Sequence, residues 1–546
     1  VNRQRSSFGF LVAGVIALLV ISLAGFYWLF SKNPIKFTAP TSQPSAAIFV
    51  SKLAPAMVSL LVNPDSLQAL EQQGEVSQFK TRLLAKSKIN YQKDVQPWLG
   101  QEITLAVTTL DIDRDPKTGI QPGYLLALAT KNPEKSREFL ELLFSQRTLA
   151  GANLAVEKYQ GVKLLYDTQE SVNDLAGAVV GNKFVLFANH PKVLRDAINN
   201  VQAPDLNLSS SPKYQKVIQQ QPQGAVAVAF LNLPYIAQWQ GLELQELTYD
   251  SQLVSLILNP QGLLAETTLL ATSKIVPQSE PLSQPVGALK YLPVSVGLTI
   301  SGENLHNLGD SNLAKFWRQT TATIYGAEAD VISRVFQPLT NRQKRWGLNL
   351  TEDIFSWVSG EYALALLPSE KTTIPNWVFV VEKSPQLLTG IARINEIAAA
   401  NGLNISSLTL GQQAISAWTD LQADTQDKTS FTIKTKVKGA HTTLDNYEIF
   451  TSSLETMNQI LTAKDNFLID NPNFQDSIAV IPQPNQGYVY IDWQKSQALL
   501  ERQLPIIKWI EILGKPLFQN LQSLTVSSYD GDTELLKGGV FFQLHH

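Results

Sequence analysis

The residues whose spacing could do chemistry in this chain are carboxylates, because serines and threonines are abundant but lie in no recognised nucleophile motif and the cysteine and histidine motifs are absent. There are 0 cysteines, which removes disulfides, thiolate metal sites and cysteine nucleophiles together. The five histidines are His190, His306, His441, His545 and His546. None has a second histidine four residues on or an HExxH neighbour, so sequence-local zinc ligation is excluded. No GxSxG elbow, SxxK with its companion motifs, GxxxxGK[ST] loop or GxGxxG after a strand is present, and no cofactor is expected.

Two sets of acids remain. Asp111, Asp113 and Asp115 alternate along DIDRD, a spacing that in an extended loop points carboxylates at one hard cation such as calcium. The EF-hand pattern fails, since Pro116 and Pro122 stand where its glycine and glutamate belong. The plainer reading is a solvated hairpin tip. Glu102 and Glu361 each follow a tryptophan, Trp98 and Trp357, by four residues. Brought together across a pseudo-two-fold axis they would share a proton or bracket a bond. The plainer reading here is a junction before a strand that the fold requires twice.

That repeated Trp-Glu pair belongs to a longer echo. Pro212, Gln215, Pro222 and Phe230 recur as Pro472, Gln475, Pro482 and Tyr490, each 260 residues later (472 − 212). Trp98 and Glu102 recur as Trp357 and Glu361 at 259, and Pro55 and Val58 are echoed by Pro293 and Val296 at 238. Tyr159 and Tyr447 differ by 288, which places roughly 30 extra residues (288 − 259 = 29) within Gly402–Gly439. A surface connection would take them most easily.

The elements that carry these residues follow from periodicity and proline. Ile103, Leu105 and Val107 alternate with polar neighbours as a strand from Glu102 to Leu110, and Tyr124–Thr130 is its hairpin partner. Asn132-Pro133 opens a helix to Phe144, and Pro191 and Pro212 open two more. Short strands are expected at 162–166, 178–180, 184–188, 225–231, 253–259 and 262–271, and in the second half at 292–300, 357–366 and 377–382. Ser66–Lys86 reads as amphipathic helix, Asn312–Phe336 as a helical stretch, Pro385–Ala400 as a second copy of the Pro133 helix, and Ala498–Leu513 as a helix on the second sheet.

The N-terminal region reads differently. Phe8–Phe30 holds no charge; its 23 residues would span roughly 35 Å as a helix, enough for a bilayer core. The alternatives are a buried helix and a cleaved signal peptide, whose apolar core runs to about 7–15 residues. The expectation is therefore an α+β chain with an N-terminal transmembrane helix and two tandem copies of a mostly antiparallel sheet, each packed with helices on one face. Its parts are a cytoplasmic tail (1–7), the transmembrane helix (8–30), a Pro/Ser/Thr-rich spacer (31–47), a first copy (48–273), a linker (274–285) and a second copy (286–546). The body would lie in a periplasm or thylakoid lumen, with the N-terminus cytoplasmic. Lys plus Arg (44) nearly balances Asp plus Glu (47), so nucleic acid is not an expected partner.

The WLGQE and WVSGE junctions, the LALATKNPEKSREFLELL hairpin-helix and the SPKYQKVIQQQP segment together resemble an uncharacterised bacterial family, a domain of unknown function common in cyanobacteria. The resemblance spans residues 46–546 and implies a membrane-associated protein with no catalytic residues to carry over. The leading expectation is a non-enzymatic, membrane-tethered binding or scaffold protein, with the lipid bilayer a partner through residues 8–30 and a protein partner besides. The rivals are an envelope hydrolase or isomerase using converging acids, and a carrier of lipid or another hydrophobic ligand.

Overall fold

The alternation of Ile103, Leu105 and Val107 builds a strand whose neighbours define the first of two compact units, up to Ile275 and from Val276. The computed structural model describes residues 43–62, 89–115, 117, 119–168, 175–240, 247–275, 281–325, 349–368, 375–427, 430–463, 466–504, 506–513 and 515–545. The first unit holds β1 (Ala56–Leu60), β2 (Leu99–Thr109), β3 (Gly123–Thr130), β4 (Leu154–Tyr159), β5 (Val162–Asp167), β6 (Ala176–Val180), β7 (Phe184–Ala188), β8 (Ala225–Asn232), β9 (Tyr249–Asn259) and β10 (Gly262–Ala271). All pairings are antiparallel, and the order is β10-β9-β8-β1-β2-β3-β7-β6-β5-β4.

The second unit holds β11 (Leu298–Glu303), β12 (Glu361–Leu367), β13 (Asn376–Glu382), β14 (Asn404–Leu410), β15 (Gln413–Asp427), β16 (Ser430–Leu444), β17 (Tyr447–Thr451), β18 (Tyr488–Asp492), β19 (Leu521–Gly531) and β20 (Leu535–Leu544). Its order is β20-β19-β18-β11-β12-β13-β17-β16-β15-β14, the first unit's order strand for strand. Register corrects one expected correspondence. Ala56 lies opposite Val107 and Leu298 opposite Leu366; since Val107 and Leu366 are 259 apart (366 − 107), Ala56 answers to Leu298 at 242 (298 − 56) and not at 238. The Pro55/Pro293 coincidence had pulled the expected strand several residues early.

The helices used below are α1 (Pro133–Leu149), α2 (Pro191–Gln202) and α3 (Pro212–Ile218) in the first unit. In the second unit they are α4 (Leu387–Ala400) and α5 (Leu454–Thr462). Asn132 caps α1 by accepting from Lys135 N at 3.1 Å, with Pro133 in the first turn. Burial corrects the one-faced sheet: all residues of β7 are buried and β8 is buried up to Leu231, so both faces are covered. The insertion within Gly402–Gly439 is smaller than the Tyr159/Tyr447 spacing implies: Tyr159 answers to Leu410 (410 − 159 = 251) and Phe187 to Phe450 (450 − 187 = 263), which leaves 12 residues (263 − 251), and these do not form a surface loop. They lengthen a hairpin, in which β15 and β16 have 15 residues each where β5 and β6 have 6 and 5.

Among the described residues no helix is long and apolar enough to cross a membrane. A span needs about 20 apolar residues. The longest described α-helix, α1, has 17 and carries Glu134, Lys135, Arg137, Glu138, Glu141 and Arg147. Residues 8–30 lie outside the described residues, as does the helix expected at Ser66–Lys86. The transmembrane helix, the single-pass topology, the bilayer as partner and the placement of the body in a periplasm or lumen are accordingly corrected: nothing in the structure carries them.

Candidate functional site

The two candidate glutamates do the same structural task, each inside its own unit. Asn90 N donates to Asp94 Oδ2 and Asn349 N to Asp353 Oδ2, both at 2.7 Å, closing a wide turn ahead of each tryptophan. Trp98 Nε1 then donates to Asp94 O at 2.7 Å and Trp357 Nε1 to Asp353 O at 2.8 Å. Four residues on, Glu102 accepts from Ser45 N at 3.0 Å, Ala46 N at 2.8 Å and Thr104 Oγ1 at 3.0 Å, and also from the Ser45 hydroxyl. Glu361 accepts from Gly287 N and from Tyr447 Oη, each at 2.6 Å. Both carboxylates thus satisfy free N–H groups at the start of a 3-10 turn, Ser45–Phe49 and Gly287–Tyr291. The negative charge and burial affect nearby phenols. Burial first, then donation to Glu361, pushes the Tyr447 phenol up, and burial followed by the Glu102 charge does the same to Tyr214.

Asp111, Asp113 and Asp115 sit in the β2–β3 connection and turn their carboxylates on the local backbone. Asp111 Oδ1 accepts from Gln121 N at 3.3 Å, Asp113 Oδ1 from Asp115 N at 2.9 Å and Asp115 Oδ1 from Lys117 N at 2.9 Å. These are turn-forming bonds. No group of three or more His, Asp or Glu side chains that could hold a metal occurs among the described residues.

A concave feature lies elsewhere, inside the second unit between α4 and the sheet. It is an apolar cavity of about 100 Å³ lined by Trp357, Trp377, Trp418, Phe379, Phe450 and Ala398 among others. Leu364, Phe379, Phe450 and His441 are direct cross-strand neighbours and so share the face that α4 covers. His441 stacks on Trp418 at 5.3 Å and on Phe450 at 5.4 Å between ring centroids. Its Nδ1 meets Glu448 Oε1 at 2.5 Å, and Thr443 Oγ1 donates to Glu448 Oε2 at 2.5 Å. His441 Nε2 is buried without a partner among the described residues, and the imidazole does not line the cavity. The His441–Glu448 pair escaped the search for histidine motifs because its spacing belongs to a hairpin: Thr443 lies opposite Glu448 across a tight turn, with His441 two residues further along the same face.

The first unit shows what the cavity replaces. Ala152 N donates to Arg147 O and Leu403 N to Ala398 O, fixing the helix ends at an offset of 251 (403 − 152). The β4–β5 and β14–β15 turns, closed by Tyr159 opposite Val162 and Leu410 opposite Gln413, give the same 251 (413 − 162). Ala398 therefore answers to Arg147, and Trp418 to Asp167. In the first unit those two form a part-buried ion pair, with Arg147 Nε 3.0 Å from Asp167 Oδ2. Phe139, which packs against Trp98 at 5.2 Å, answers to Gly390, where an added Cβ would lie 2.5 Å from the Trp357 ring. An arginine and a phenylalanine on the helix are thus exchanged for an alanine and a glycine, and the space is walled by indoles.

The family model described as "Protein of unknown function (DUF3352)" matches residues 11–544. No curated protein matches. Among solved structures, crystal form I of TP0453 is similar at 12% identity, covering 42% of this chain and 80% of that one with a TM-score of 0.24. Crystal form III is similar at 11% identity, covering 43% and 82%, also with a TM-score of 0.24. So slight a superposition carries no argument about this chain. The family match itself carries no statement of membrane anchoring, which corrects what the resemblance implied. The chain belongs to the family described as Protein of unknown function (DUF3352).

Proposed function

We propose that this protein is a non-catalytic binding module whose second unit takes a small apolar ligand, a single ring or a short hydrocarbon segment, in the cavity beneath α4. The observation that carries the reading is the exchange of the Arg147–Asp167 ion pair for Ala398 and Trp418. It turns a charged closure into an apolar entrance. Half-exposed Leu350, Phe355, Leu403 and Lys438 lie on the side nearest solvent. An apolar cavity of about 150 Å³ in another protein stays dry and binds benzene, and this one, at about 100 Å³, is of the same order. Ligands of this kind gain from apolar area removed from water at about 25 cal/mol per Å².

The test is a calorimetric and thermal-shift titration with benzene and indole. The wild type is expected to bind at least one of them. Ala398→Arg, which restores the first unit's residue, and Ala398→Leu, which fills the space without charge, are each expected to weaken binding at least tenfold, about 1.4 kcal/mol. Binding by neither compound, or binding that both variants leave unchanged, contradicts the reading.

A further inference from the structure

The second unit has opened in another place, at the ends of its strands. There the 3-10 turn Gly287–Tyr291, the β14–β15 and β16–β17 turns and the end of α5 surround a cleft of about 750 Å³. Backbone bonds fix the corresponding corner of the first unit. Leu208 N donates to Val50 O as Leu468 N donates to Leu292 O, at offsets of 260 (468 − 208) and 242 (292 − 50). Lys52 N and Leu206 O are matched in the same way by Val294 N and Asn466 O. Phe467 therefore stands where Asn207 does. The helix caps His190, accepting from Lys192 N, and Ser453, accepting from Thr456 N, are 263 apart (453 − 190), so Ala463 stands where Asn200 does.

In the first unit these two asparagines form a buried plug. Asn200 Nδ2 donates to Phe49 O and Asn207 Nδ2 to Asn200 O, both at 3.0 Å. The second unit has lost both amides, and its chain between the matched positions is three residues shorter (263 − 260). The wall beside the lost plug, Tyr291 and Tyr447, answers to the first unit's Phe49–Phe184 pair (291 − 49 = 242, 447 − 184 = 263), whose rings also lie 5.2 Å apart, with a hydroxyl added to each ring. Tyr291 Oη donates to Asp445 Oδ2 at 2.7 Å, its ring lies 5.2 Å from that of Tyr447, and Tyr447 is held by Glu361 at 2.6 Å. Gln412, Asn458 and Asp470 also line the cleft, and their side chains hold no hydrogen-bond partner among the described residues.

We infer that this cleft is a second binding site, for a neutral oligosaccharide of two or three rings. Its volume falls in the range of about 300–1,000 Å³ usual for ligand sites. Aromatic faces at Tyr291 and Phe467 suit the C–H face of a sugar ring, and side-chain amides with an acceptor carboxylate suit its hydroxyls. Lys290 offsets part of the charge of Asp445 and Asp470, so the lining does not select a strongly charged ligand. Glu361 is here a positioning residue, which sets the Tyr447–Tyr291 wall.

The experiment is saturation-transfer NMR and calorimetry on the full chain with cellobiose and N,N′-diacetylchitobiose. At least one is expected to bind with a Kd of about 1 mM or tighter. The exposed substitutions Gln412→Ala and Asp470→Ala together are expected to weaken it at least tenfold. Phe467→Asn, which reinstates the first unit's residue, is expected to do the same with unchanged circular dichroism. Ala398→Arg is expected to leave sugar binding intact, which separates this site from the apolar cavity. Binding of neither disaccharide at about 10 mM, ten times the expected Kd, overturns the inference, as does binding insensitive to both the Gln412/Asp470 pair and Phe467→Asn.

Discussion

Phe144→Ala is expected to destabilise the first unit by about 3–5 kcal/mol, the usual cost of removing a fully buried ring. Phe144 is 1% exposed, and its ring rests on Gly177, where an added Cβ would approach Phe144 Cε2 to 2.9 Å. It belongs to a cluster with Trp98, Leu99, Phe139, Leu140, Leu165, Val185 and Phe187 that the smaller residue cannot refill. At the matching place in the second unit (144 + 251) stands Asn395, whose Oδ1 accepts from Trp418 Nε1 at 2.8 Å. Asn395→Ala should cost only about 1 kcal/mol, the net worth of one such bond. Hydrogen exchange resolves the two units separately. Amides of β5–β7 should lose at least a hundredfold protection in Phe144→Ala, while those of β15–β17 keep theirs. Equal loss in both units, or none in either, would count against the filled-core account of the first unit.

Alkaline pH is expected to unfold the protein steeply. Burial holds the phenols of Tyr214, Tyr362 and Tyr490 well above the usual tyrosine range, and Tyr291 is pushed up to about 12 by burial and its bond to Asp445. In the unfolded chain each ionises near pH 10. The folded state therefore keeps protons that the unfolded state releases, so the stabilisation is complete below about pH 10 and is lost as pH rises towards the folded values. Each of the buried Tyr214, Tyr362 and Tyr490 contributes a slope of about 1.4 kcal/mol per pH unit in that window, and the more exposed Tyr291, screened by solvent, contributes less. Urea midpoints measured at pH 8 and pH 11 should differ sharply, and Tyr214→Phe should flatten the dependence. Midpoints that coincide would mean the phenols are not held neutral.

Much of the frame could be read from residue types, because the signals were local. Asn132-Pro133 fixed the start of α1, the Ile103-Leu105-Val107 alternation fixed β2, and the Pro212/Pro472 echo pointed to equivalent helices before β8 and β18. Of the first unit's two end strands, β10 falls on the expected 262–271 and β4 was not legible. β4 carries Glu157 and Lys158 on a half-exposed edge and so lacks the apolar alternation that marks a covered strand. The long β15–β16 hairpin is indistinguishable in sequence from a surface connection, because an insertion leaves no mark of whether it loops out or lengthens a pair. Neither opening in the second unit could be found from motifs. Each arises from what stands opposite a lost side chain, Ala398 for Arg147 and Phe467 for Asn207, and that comparison needs register. Glu102 and Glu361 drew notice for their repetition, and repetition here marks a shared structural requirement.

Xenon diffraction bears most directly on the claim that one frame is filled in the first unit and hollowed in the second. In a crystal of the full chain under xenon pressure, the gas should occupy the space among Trp357, Trp377 and Trp418 and be absent beside Trp98 and Phe144. An empty second-unit cavity, or equal occupancy in the two units, would contradict the account.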